Sequence, residues 1–437
     1  METSDTRSSS TARGGRAVAF IVALLLAGIV DPTAWAQPNP ANQCRADNPA
    51  AEAILPVVQP QVQKFLGRHP KSTTPGVSLA VVSASQNNPG TASIAIINCG
   101  VTAANGTTPT TSDTVYEIGS ETKVFTATAL AQLSLRGVVQ LDNSLQSFLP
   151  QPYAAPESPC GSSNQSAITL RELATHNSGL KENPKNQTWS PKNPEGHQNY
   201  TRTNLYQSFT AGWQQPCDAL LSTPGTKYSY SNWGFALLGT ILADRYAPSR
   251  TDVPNFAKLV GDLVTGPLGM RSTGLEAIPP TPAMAQPTCT NGVTAPCYWN
   301  NVNAFAGGGG LVSTISDMAT FTAANLGFGK QPSIWPALQS THNGQGLGPD
   351  CGTCEGLGWM ITPPGDPGSL SSFQMLSKDG GTWGMFSHTY LLPDACWGIT
   401  FLSNSDQSFP VSTSGGFAGP IISTLAPKQP CPGGPAR

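Results

Sequence analysis

Strand-like segments lie at both ends of this 437-residue chain, and helix-like segments lie between them. Two runs near the N-terminus, 76–83 and 92–102, are rich in β-branched residues and are separated by a loop of Asn, Pro and Gly, which predicts a β-hairpin. Strand-like runs return at 371–380, 383–392 and 396–404. We therefore predict an α/β lobe built from both ends of the chain, with a mainly helical lobe packed against it. A cleft between two such lobes is a common place for a ligand.

Apolar residues at helical spacing predict one helix near the N-terminus and several in the middle of the chain. The predicted helices span 50–66, 120–137, 168–180, 232–247, 254–270 and about 316–327. Pro56 and Pro60 interrupt the first of them, and Gly266 with Pro267 is expected to stop the fifth. The polar segment 181–203 predicts an exposed loop.

The first 36 residues have the pattern of a secretory signal peptide. Arg13 and Arg16 precede an apolar run that ends at Asp31, and the small residues of 34–36 suit cleavage. An uncleaved anchor is the alternative, but the run is short for a membrane span. We therefore expect an exported protein, periplasmic or secreted, with no permanent membrane anchor.

All ten cysteines follow the predicted cleavage point, and an even number in an exported chain predicts disulfides. They lie at positions 44, 99, 160, 217, 289, 297, 351, 354, 396 and 431. Cys289 with Cys297 and Cys351 with Cys354 could close short local loops, and the remaining connectivity stays open. The sequence "CGTC" at 351–354 would also suit a redox or zinc site. Because neither a second close pair nor a histidine cluster accompanies it, we favour a structural disulfide.

The composition argues against several classes of partner. Charged residues make up 11% of the chain and the formal net charge is −2, so nothing attracts nucleic acid or anionic lipid. No set of His, Cys and acidic residues has metal-ligand spacing once the cysteines are assigned to disulfides. We therefore expect no cofactor, no metal and no nucleic acid partner.

The helix predicted at 120–137 begins with a serine and a lysine one turn apart, in "GSETKVF". Ser120 and Lys123 stand at i and i+3 and therefore share a helical face. A serine hydroxyl needs a base to accept its proton, and a lysine that burial and nearby positive charge keep neutral can be that base. The positive end of the helix would favour negative charge that develops beside Ser120. The alternative is an N-cap serine followed by a chance lysine.

Other stretches of the sequence bear on this interpretation. Ser178 and Lys181 have the same spacing, but Gly179 breaks the helix there, so we interpret Ser178 as a turn residue. No G-x-S-x-G elbow occurs, which leaves an α/β-hydrolase arrangement without support. "YSN" at 230–232 stands at a turn before an apolar helix, and "KDG" at 378–380 lies between strand-like runs beside glycines that let the backbone approach a ligand.

With S-E-T-K, Y-S-N and K-D-G in this order, the sequence resembles the serine β-lactamase and penicillin-binding protein superfamily, in its class C-like branch. Within it, the nearest likeness is to the periplasmic D-alanyl-D-alanine carboxypeptidase/endopeptidase group (AmpH-type). Class VIII-type esterases share the same three motifs. The resemblance implies an α+β two-lobed fold, with an antiparallel sheet of N- and C-terminal strands flanked by helices, plus a mainly helical lobe.

The resemblance also implies domain boundaries. The catalytic domain would span 37–427, with an α/β lobe at about 50–118 and 330–427 and a helical lobe at about 119–329. Residues 428–437 would form a C-terminal tail.

The catalytic roles follow from the same resemblance. Ser120 would attack the substrate carbonyl and carry the acyl group, while Lys123 and Tyr230 would share the proton transfers. Backbone N–H groups of Ser120 and Gly381 would form the oxyanion hole.

The resemblance further implies a set of substrate-binding residues. Asn232 would hydrogen-bond the substrate amide, and Lys378 would hold a substrate carboxylate or help to polarise Tyr230. The other candidates are Gly380, Gly381 and Thr382.

Asp379 departs from the family pattern, because many class C β-lactamases have threonine at this place. The alternation of side chains along a strand predicts that its carboxylate points away from Lys378. An acidic residue here does not help to bind a carboxylate, which weakens the case for β-lactamase activity more than the case for acyl transfer. Thr382 and His388 lie close enough in the sequence to assist.

Four other features receive structural interpretations. We interpret His176 as a structural histidine and Trp359 as part of the core or the cleft wall. The glycine run at 306–311 is expected to form a tight turn before a helix, because it lacks the lysine and the preceding strand of a phosphate-binding loop. Glu121 is expected to face solvent or to cap the helix start.

The leading hypothesis is a monomeric serine acyl-enzyme hydrolase that acts as a D-alanyl-D-alanine carboxypeptidase/endopeptidase on peptidoglycan peptides, with β-lactams as mimics. A class C-like β-lactamase and a class VIII-type carboxylesterase are the alternatives among enzymes. They differ in how fast water reaches the acyl-enzyme. A catalytically silent penicillin-binding homologue is the alternative outside catalysis.

Overall fold

The computed structural model of the protein describes residues 43–68, 75–88, 90–104, 106–188, 190, 192, 198–275, 283–289, 295–299, 302–329, 331–345, 354–365, 372–409 and 416–431. The predicted signal peptide at 1–36 lies outside these residues. Cys351 and the side chain of Cys354 also lie outside them, so the predicted pairing of these two cysteines stays a prediction.

The described part contains strands, α-helices and shorter helical turns. The strands are β1 (Cys44–Ala46), β2 (Val77–Ala84), β3 (Ala92–Cys99), β4 (Val115–Glu117), β5 (Gly274–Leu275), β6 (Leu311–Thr314), β7 (Cys354–Glu355), β8 (Met360–Thr362), β9 (Met375–Gly381), β10 (Phe386–Leu392) and β11 (Trp397–Ser403). The α-helices are α1 (Pro49–Leu66), α2 (Thr122–Leu135), α3 (Leu170–Ala174), α4 (Arg202–Gln207), α5 (Asn232–Tyr246), α6 (Phe256–Val260), α7 (Gly266–Leu268), α8 (Ala306–Gly309), α9 (Ile315–Asn325), α10 (Trp335–Thr341) and α11 (Ala418–Leu425). Short 3-10 turns span Gly119–Glu121, Leu145–Phe148, Pro216–Ala219 and Pro393–Ala395, and a π-helical turn, Gly261–Thr265, joins α6 to α7.

An eight-stranded antiparallel sheet joins the two ends of the chain, in the order β1-β3-β2-β11-β10-β9-β8-β7. β2 pairs with β3 on one side and with β11 on the other, so N-terminal and C-terminal strands are hydrogen-bonded neighbours. The prediction of a sheet built from both ends is therefore confirmed. β11 is buried along its whole length because helices cover both faces of the sheet.

Two hydrophobic clusters lie on opposite faces of this sheet. On one face, α1 and α11 pack together, and their buried side chains include Val58, Phe65 and Ile421. On the other face, α9 packs on β2 and β11, and the cluster continues into α2 and α5 through residues such as Phe125 and Trp233. The second cluster therefore fixes the helices that carry the first two sequence motifs against the sheet that carries the third.

Two predicted helix boundaries need correction. Pro56 and Pro60 do not interrupt α1, which is continuous because its apolar side is buried and Asn48 caps its start. Gly266 and Pro267 do not stop the helix near residue 265 either. Proline is tolerated in the first turn of α7, and the chain leaves the helix only at Gly269, whose φ of +72° is the left-handed conformation that glycine favours.

Four disulfides are formed in the described part: Cys44–Cys99, Cys160–Cys217, Cys289–Cys297 and Cys396–Cys431. The predicted local pair of Cys289 with Cys297 is confirmed. Within the same part of the chain, every helix is too short or too polar to cross a membrane.

Candidate active site

Ser120 lies in the 3-10 turn that leads directly into α2. Its side chain makes no capping hydrogen bond, and the residue is only 8% exposed. Its Oγ instead lies 2.6 Å from the hydroxyl of Tyr230 and 2.8 Å from Nζ of Lys123. The interpretation of Ser120 as an N-cap is therefore wrong, because its hydroxyl contacts the side chains of Tyr230 and Lys123 instead of a backbone N–H at the helix start.

Lys123 is fully buried, and its Nζ has three partners, one of which is the Ser120 hydroxyl. Nζ lies 2.8 Å from Oδ1 of Asn232 and 2.6 Å from the carbonyl oxygen of Gly308, and both of these atoms can only accept. A neutral amine has two N–H bonds and one lone pair. In the neutral form of Lys123 these two acceptors would take both N–H bonds, and the lone pair would face the hydroxyl of Ser120. Burial lowers the pKa of the Lys123 ammonium, and the charge of Lys378 lowers it further.

Tyr230 lies between the two lysines of the site. The Lys123 and Lys378 nitrogens are 4.9 Å and 5.4 Å from the centre of its ring. Burial opposes ionisation of the phenol, but these two positive charges outweigh burial and hold the pKa of Tyr230 below its usual value. A phenol with this environment can give and take a proton close to Ser120.

The start of α5 positions Tyr230 and Asn232. Ser231 is the N-cap, and its Oγ accepts a hydrogen bond from the Gly234 N–H. The Ser231 N–H donates to Nδ1 of His176 at 3.0 Å, and the His176 ring packs 4.4 Å from that of Tyr230. The structural interpretation of His176 therefore agrees with its contacts, because it orients the Y-S-N turn.

The third motif lies on β9. Lys378 is almost fully buried, and its Nζ donates to the backbone oxygen of Asp379 at 3.0 Å and lies 3.4 Å from the Asp379 carboxylate. The expectation that Asp379 points away is therefore wrong. Burial opposes its ionisation, but the charge of Lys378 outweighs burial and holds the pKa of Asp379 at about 2. The lysine that was expected to meet a substrate carboxylate thus already carries a counter-ion.

The backbone of Gly381 lies against the residue that precedes Ser120. A Cβ on Gly119, which has a φ of +48°, would stand 2.9 Å from the Gly381 nitrogen. Gly381 lies opposite Phe386 in the β9–β10 pair, and the next residue, Thr382, donates its N–H to the Met385 carbonyl. In an antiparallel pair, hydrogen-bonded positions alternate with positions that are not hydrogen-bonded. The N–H of Gly381 therefore points away from β10. The sequence pattern had not identified Gly119, although a glycine directly before a nucleophile is a signal of close backbone approach.

These residues open onto a cavity of about 400 Å³. Ser120, Tyr230, Asn232, Lys378 and Gly381 line it, together with Trp359, which was expected in the cleft wall. The remaining lining residues are Ala174, His176, Glu182, Tyr228, Trp299, Glu355, Gly356, Gly358, Met360, Asp379 and Phe386.

A comparison with protein-family models matches residues 60–415, most of the chain, to the family described as Beta-lactamase. The chain belongs to the beta-lactamase family. This confirms the superfamily that the three motifs indicate, and with it a serine hydrolase family whose members include β-lactamases and DD-carboxypeptidases.

Individual members of the beta-lactamase family support the same assignment. The chain is 28% identical to the D-alanyl-D-alanine-carboxypeptidase/endopeptidase AmpH of Escherichia coli (strain K12) over 299 residues, which cover 64% of this chain and 68% of that protein. A beta-lactamase/D-alanine carboxypeptidase structure from Yersinia pestis is 23% identical with a TM-score of 0.63, covering 85% of this chain and 99% of that one. A class C beta-lactamase structure is 22% identical with a TM-score of 0.66, covering 88% and 99%. The two solved structures establish the α+β fold of this family for the chain.

The second Ser-x-x-Lys pair has a different surrounding from the first. The hydroxyl of Ser178 accepts a weak hydrogen bond from the Leu180 N–H at 3.4 Å, as in a turn. The nitrogen of Lys181 lies 4.7 Å from the centre of the Trp213 ring. These two residues therefore point to separate partners, which agrees with the interpretation of Ser178 as a turn residue.

Two other sequence expectations differ from the structure. Glu121 neither faces solvent nor caps the helix, because it is 1% exposed and packs beneath β10 beside Thr389. Burial raises the pKa of its carboxyl well above the usual value.

The glycine run forms the one-turn helix α8 rather than a simple turn. Its close contact with Gly239 of α5 brings the Gly308 carbonyl to Lys123, a role that no motif indicated.

Gly380 and Thr382 do not line the cavity, so its geometry gives no support to the prediction that they bind substrate. The Thr382 N–H closes the turn between β9 and β10 by bonding to Met385. Gly380 is where β9 crosses the turn that carries Ser120. A Cβ there would overlap the Ile118 carbonyl oxygen and stand 2.8 Å from the Glu121 nitrogen.

We therefore expect Gly380→Ala to lower the free energy of unfolding by about 1–3 kcal/mol, because β9 and the 3-10 turn that contains Ser120 would have to move apart. Thermal unfolding followed by circular dichroism measures the effect. Gly274→Ala is the matched control, because Gly274 also lies in a strand but has no atom within 4 Å of an added Cβ. Equal unfolding temperatures for the two variants would contradict the close approach.

Among the described residues, no group of His, Cys, Asp and Glu side chains is arranged to hold a metal ion.

Proposed function

We propose that the protein is a serine acyl-enzyme hydrolase of the D-alanyl-D-alanine carboxypeptidase/endopeptidase type, acting on peptidoglycan peptides. The observation that carries the proposal is the contact of 2.8 Å between Ser120 Oγ and a fully buried Lys123 whose other partners are acceptors only. Similarity to AmpH over 64% of the chain supports the choice of peptide substrates.

In the proposed acylation step, the Ser120 oxygen attacks the carbonyl carbon of the substrate while Lys123 takes the hydroxyl proton. The N–H groups of Ser120 and Gly381 stabilise the negative oxygen of the tetrahedral intermediate. When the intermediate collapses, Tyr230 donates a proton to the leaving amine and recovers one from Lys123. Asn232 holds Lys123 in place and presents its amide to the substrate.

Deacylation runs through the same groups in the opposite direction. Tyr230, with its pKa lowered by the two lysines, passes its own proton to the neutral amine of Lys123 and takes one from a water molecule that attacks the ester carbon. Lys123 then returns a proton to the Ser120 oxygen as the ester bond breaks. The rate of this step distinguishes a peptidase, which deacylates slowly after reaction with a penicillin, from a β-lactamase.

We also propose that the protein acts outside the cytoplasm as a monomer, after removal of residues 1–36. Four disulfides in the described part of the chain support an oxidising compartment.

The proposal predicts that purified protein releases D-alanine from an Nα-acetyl-L-lysyl-D-alanyl-D-alanine peptide, whose lysine side chain is a free amine, faster than it hydrolyses benzylpenicillin. Released D-alanine is measured with D-amino acid oxidase, and penicillin hydrolysis is measured by loss of β-lactam absorbance. Fast penicillin hydrolysis with no D-alanine release would favour the β-lactamase alternative. Turnover of a p-nitrophenyl ester alone would favour the esterase, and no turnover of any of the three would favour the silent homologue.

A further inference from the structure

The cavity beside Ser120 carries more acidic groups than the proposed reaction uses. Three carboxyl side chains line it: Glu182, Glu355 and Asp379. Asp379 has Lys378 as its counter-ion at 3.4 Å. Among the described residues, neither Glu182 nor Glu355 takes part in an ion pair. The wall of the cavity therefore offers two carboxyl groups without a positive partner.

Glu355 is the more informative of the two. It lies on β7, at the edge of the sheet, and is only 6% exposed although it lines the cavity. Its Oε2 has no hydrogen-bond partner within the described residues. A buried carboxyl oxygen without a partner costs free energy that a well-packed apolar residue would not, so the position of Oε2 favours a partner supplied from outside.

The ionisation of Glu355 fits a ligand that brings positive charge. Burial raises the pKa of Glu355 to about 9. The positive charge of Lys378 and a hydrogen bond from the Tyr228 hydroxyl lower this pKa, but by less than burial raises it. At neutral pH the Glu355 carboxyl is therefore a neutral acid. A protonated amine in contact with it would stabilise the carboxylate, and the acid proton would pass to solvent as the charge-assisted hydrogen bond forms.

Glu182 provides a second contact nearer the cavity mouth. Its side chain is exposed, and its Oε1 lies 3.5 Å from Nδ2 of Asn232, which in turn contacts Lys123. A group held by Glu182 therefore lies next to the residue that the proposed function assigns to the substrate amide.

We propose that the cavity selects acyl donors that carry a protonated amine on the acyl side of the scissile bond, with Glu355 as its main partner and Glu182 as its second. This inference rests on the proposed function, since it names the class of substrate that acylates Ser120. Peptides with a free side-chain or terminal amine belong to this class, and their acetylated forms do not.

Two penicillins that differ by one amino group test the inference. Ampicillin carries an α-amino group on the side chain that benzylpenicillin lacks, and at pH 6 this group is charged, since α-amino groups have pKa values of about 7.7–8.0. Second-order acylation rates come from intact mass over time, combined with loss of β-lactam absorbance. We expect wild-type protein to react roughly 10- to 100-fold faster with ampicillin, the range of a charge-assisted hydrogen bond.

In Glu355→Gln this ratio of rates is expected to fall toward one, with a smaller fall in Glu182→Gln. Reaction of each variant with benzylpenicillin shows that it is folded. Glu157→Gln, a change at an exposed carboxylate, is the matched control and should keep the wild-type ratio. A wild-type ratio of one, or a preference that persists in both cavity variants, would overturn the inference and leave the proposed function standing. Failure of both penicillins to react would overturn the proposed function itself.

Discussion

Ser120→Ala is expected to form no covalent adduct with penicillin. The wild-type protein should gain the mass of one penicillin, because the Ser120 oxygen lies 2.8 Å from the buried amine that would take its proton. The alanine variant keeps the cavity and both lysines, so it should still bind the drug without reacting. Intact mass spectrometry over time after addition of benzylpenicillin measures the difference.

Ser178→Ala is the matched control for this prediction, because Ser178 and Lys181 have the same sequence spacing as Ser120 and Lys123. It should acquire the adduct as the wild type does, since its hydroxyl faces a backbone N–H. An adduct that survives in Ser120→Ala would refute the assignment of the nucleophile. In the wild type, a lasting adduct would indicate slow deacylation, as in a penicillin-binding peptidase, whereas hydrolysed drug without a lasting adduct would indicate a β-lactamase.

Lys123→Met is expected to slow acylation by about 10²- to 10⁴-fold, the usual contribution of a positioned general base. Methionine fills a similar buried volume, so the packing of α2 against α5 and α8 should be preserved. The second-order rate constant for penicillin acylation measures the loss. The serine remains in place, so a slow residual reaction is expected rather than none.

The pH dependence of acylation provides a second measurement of the same role. Burial lowers the pKa of Lys123, so its neutral, basic form is present at a lower pH than for an exposed lysine, whose pKa is about 10.4. The wild-type acylation rate should therefore rise with pH and level off at a lower pH than an exposed lysine would give. Lys123→Met should lose this rise. Lys181→Met, the control on the second pair, should keep both the rate and the profile, and an unchanged profile in Lys123→Met would contradict the role of Lys123 as the base.

Some parts of this protein could be predicted from short stretches of sequence, because they depend on local geometry. The spacing of Ser120 and Lys123 places both on one helical face whatever surrounds them. Alternating and continuous apolar runs likewise identify the strands of the sheet. The short local disulfide between Cys289 and Cys297 belongs to this group, since its two cysteines are only eight positions apart in the sequence.

Other features depend on residues that are distant in sequence, and no local pattern contains them. The acceptor that completes the surroundings of Lys123 is the carbonyl of Gly308, which is 185 residues away. The prediction for Glu121 was wrong for the same reason, because the strand that covers it, β10, comes much later in the chain. Asp379 was predicted to follow strand alternation, but attraction to the buried ammonium of Lys378 brings its carboxylate back into the cavity.

The sequence by itself therefore determined the family, the sheet built from both chain ends, and which serine and lysine stand one helical turn apart. Only the tertiary structure decided that this lysine is buried between its serine and two acceptors, that Lys378 already has a counter-ion, and that one carboxyl oxygen of Glu355 lies without a partner in the cavity wall. The physical reason is that spacing along a helix or strand is set by backbone geometry. Protonation and charge pairing are instead set by burial and by neighbours that only folding brings together.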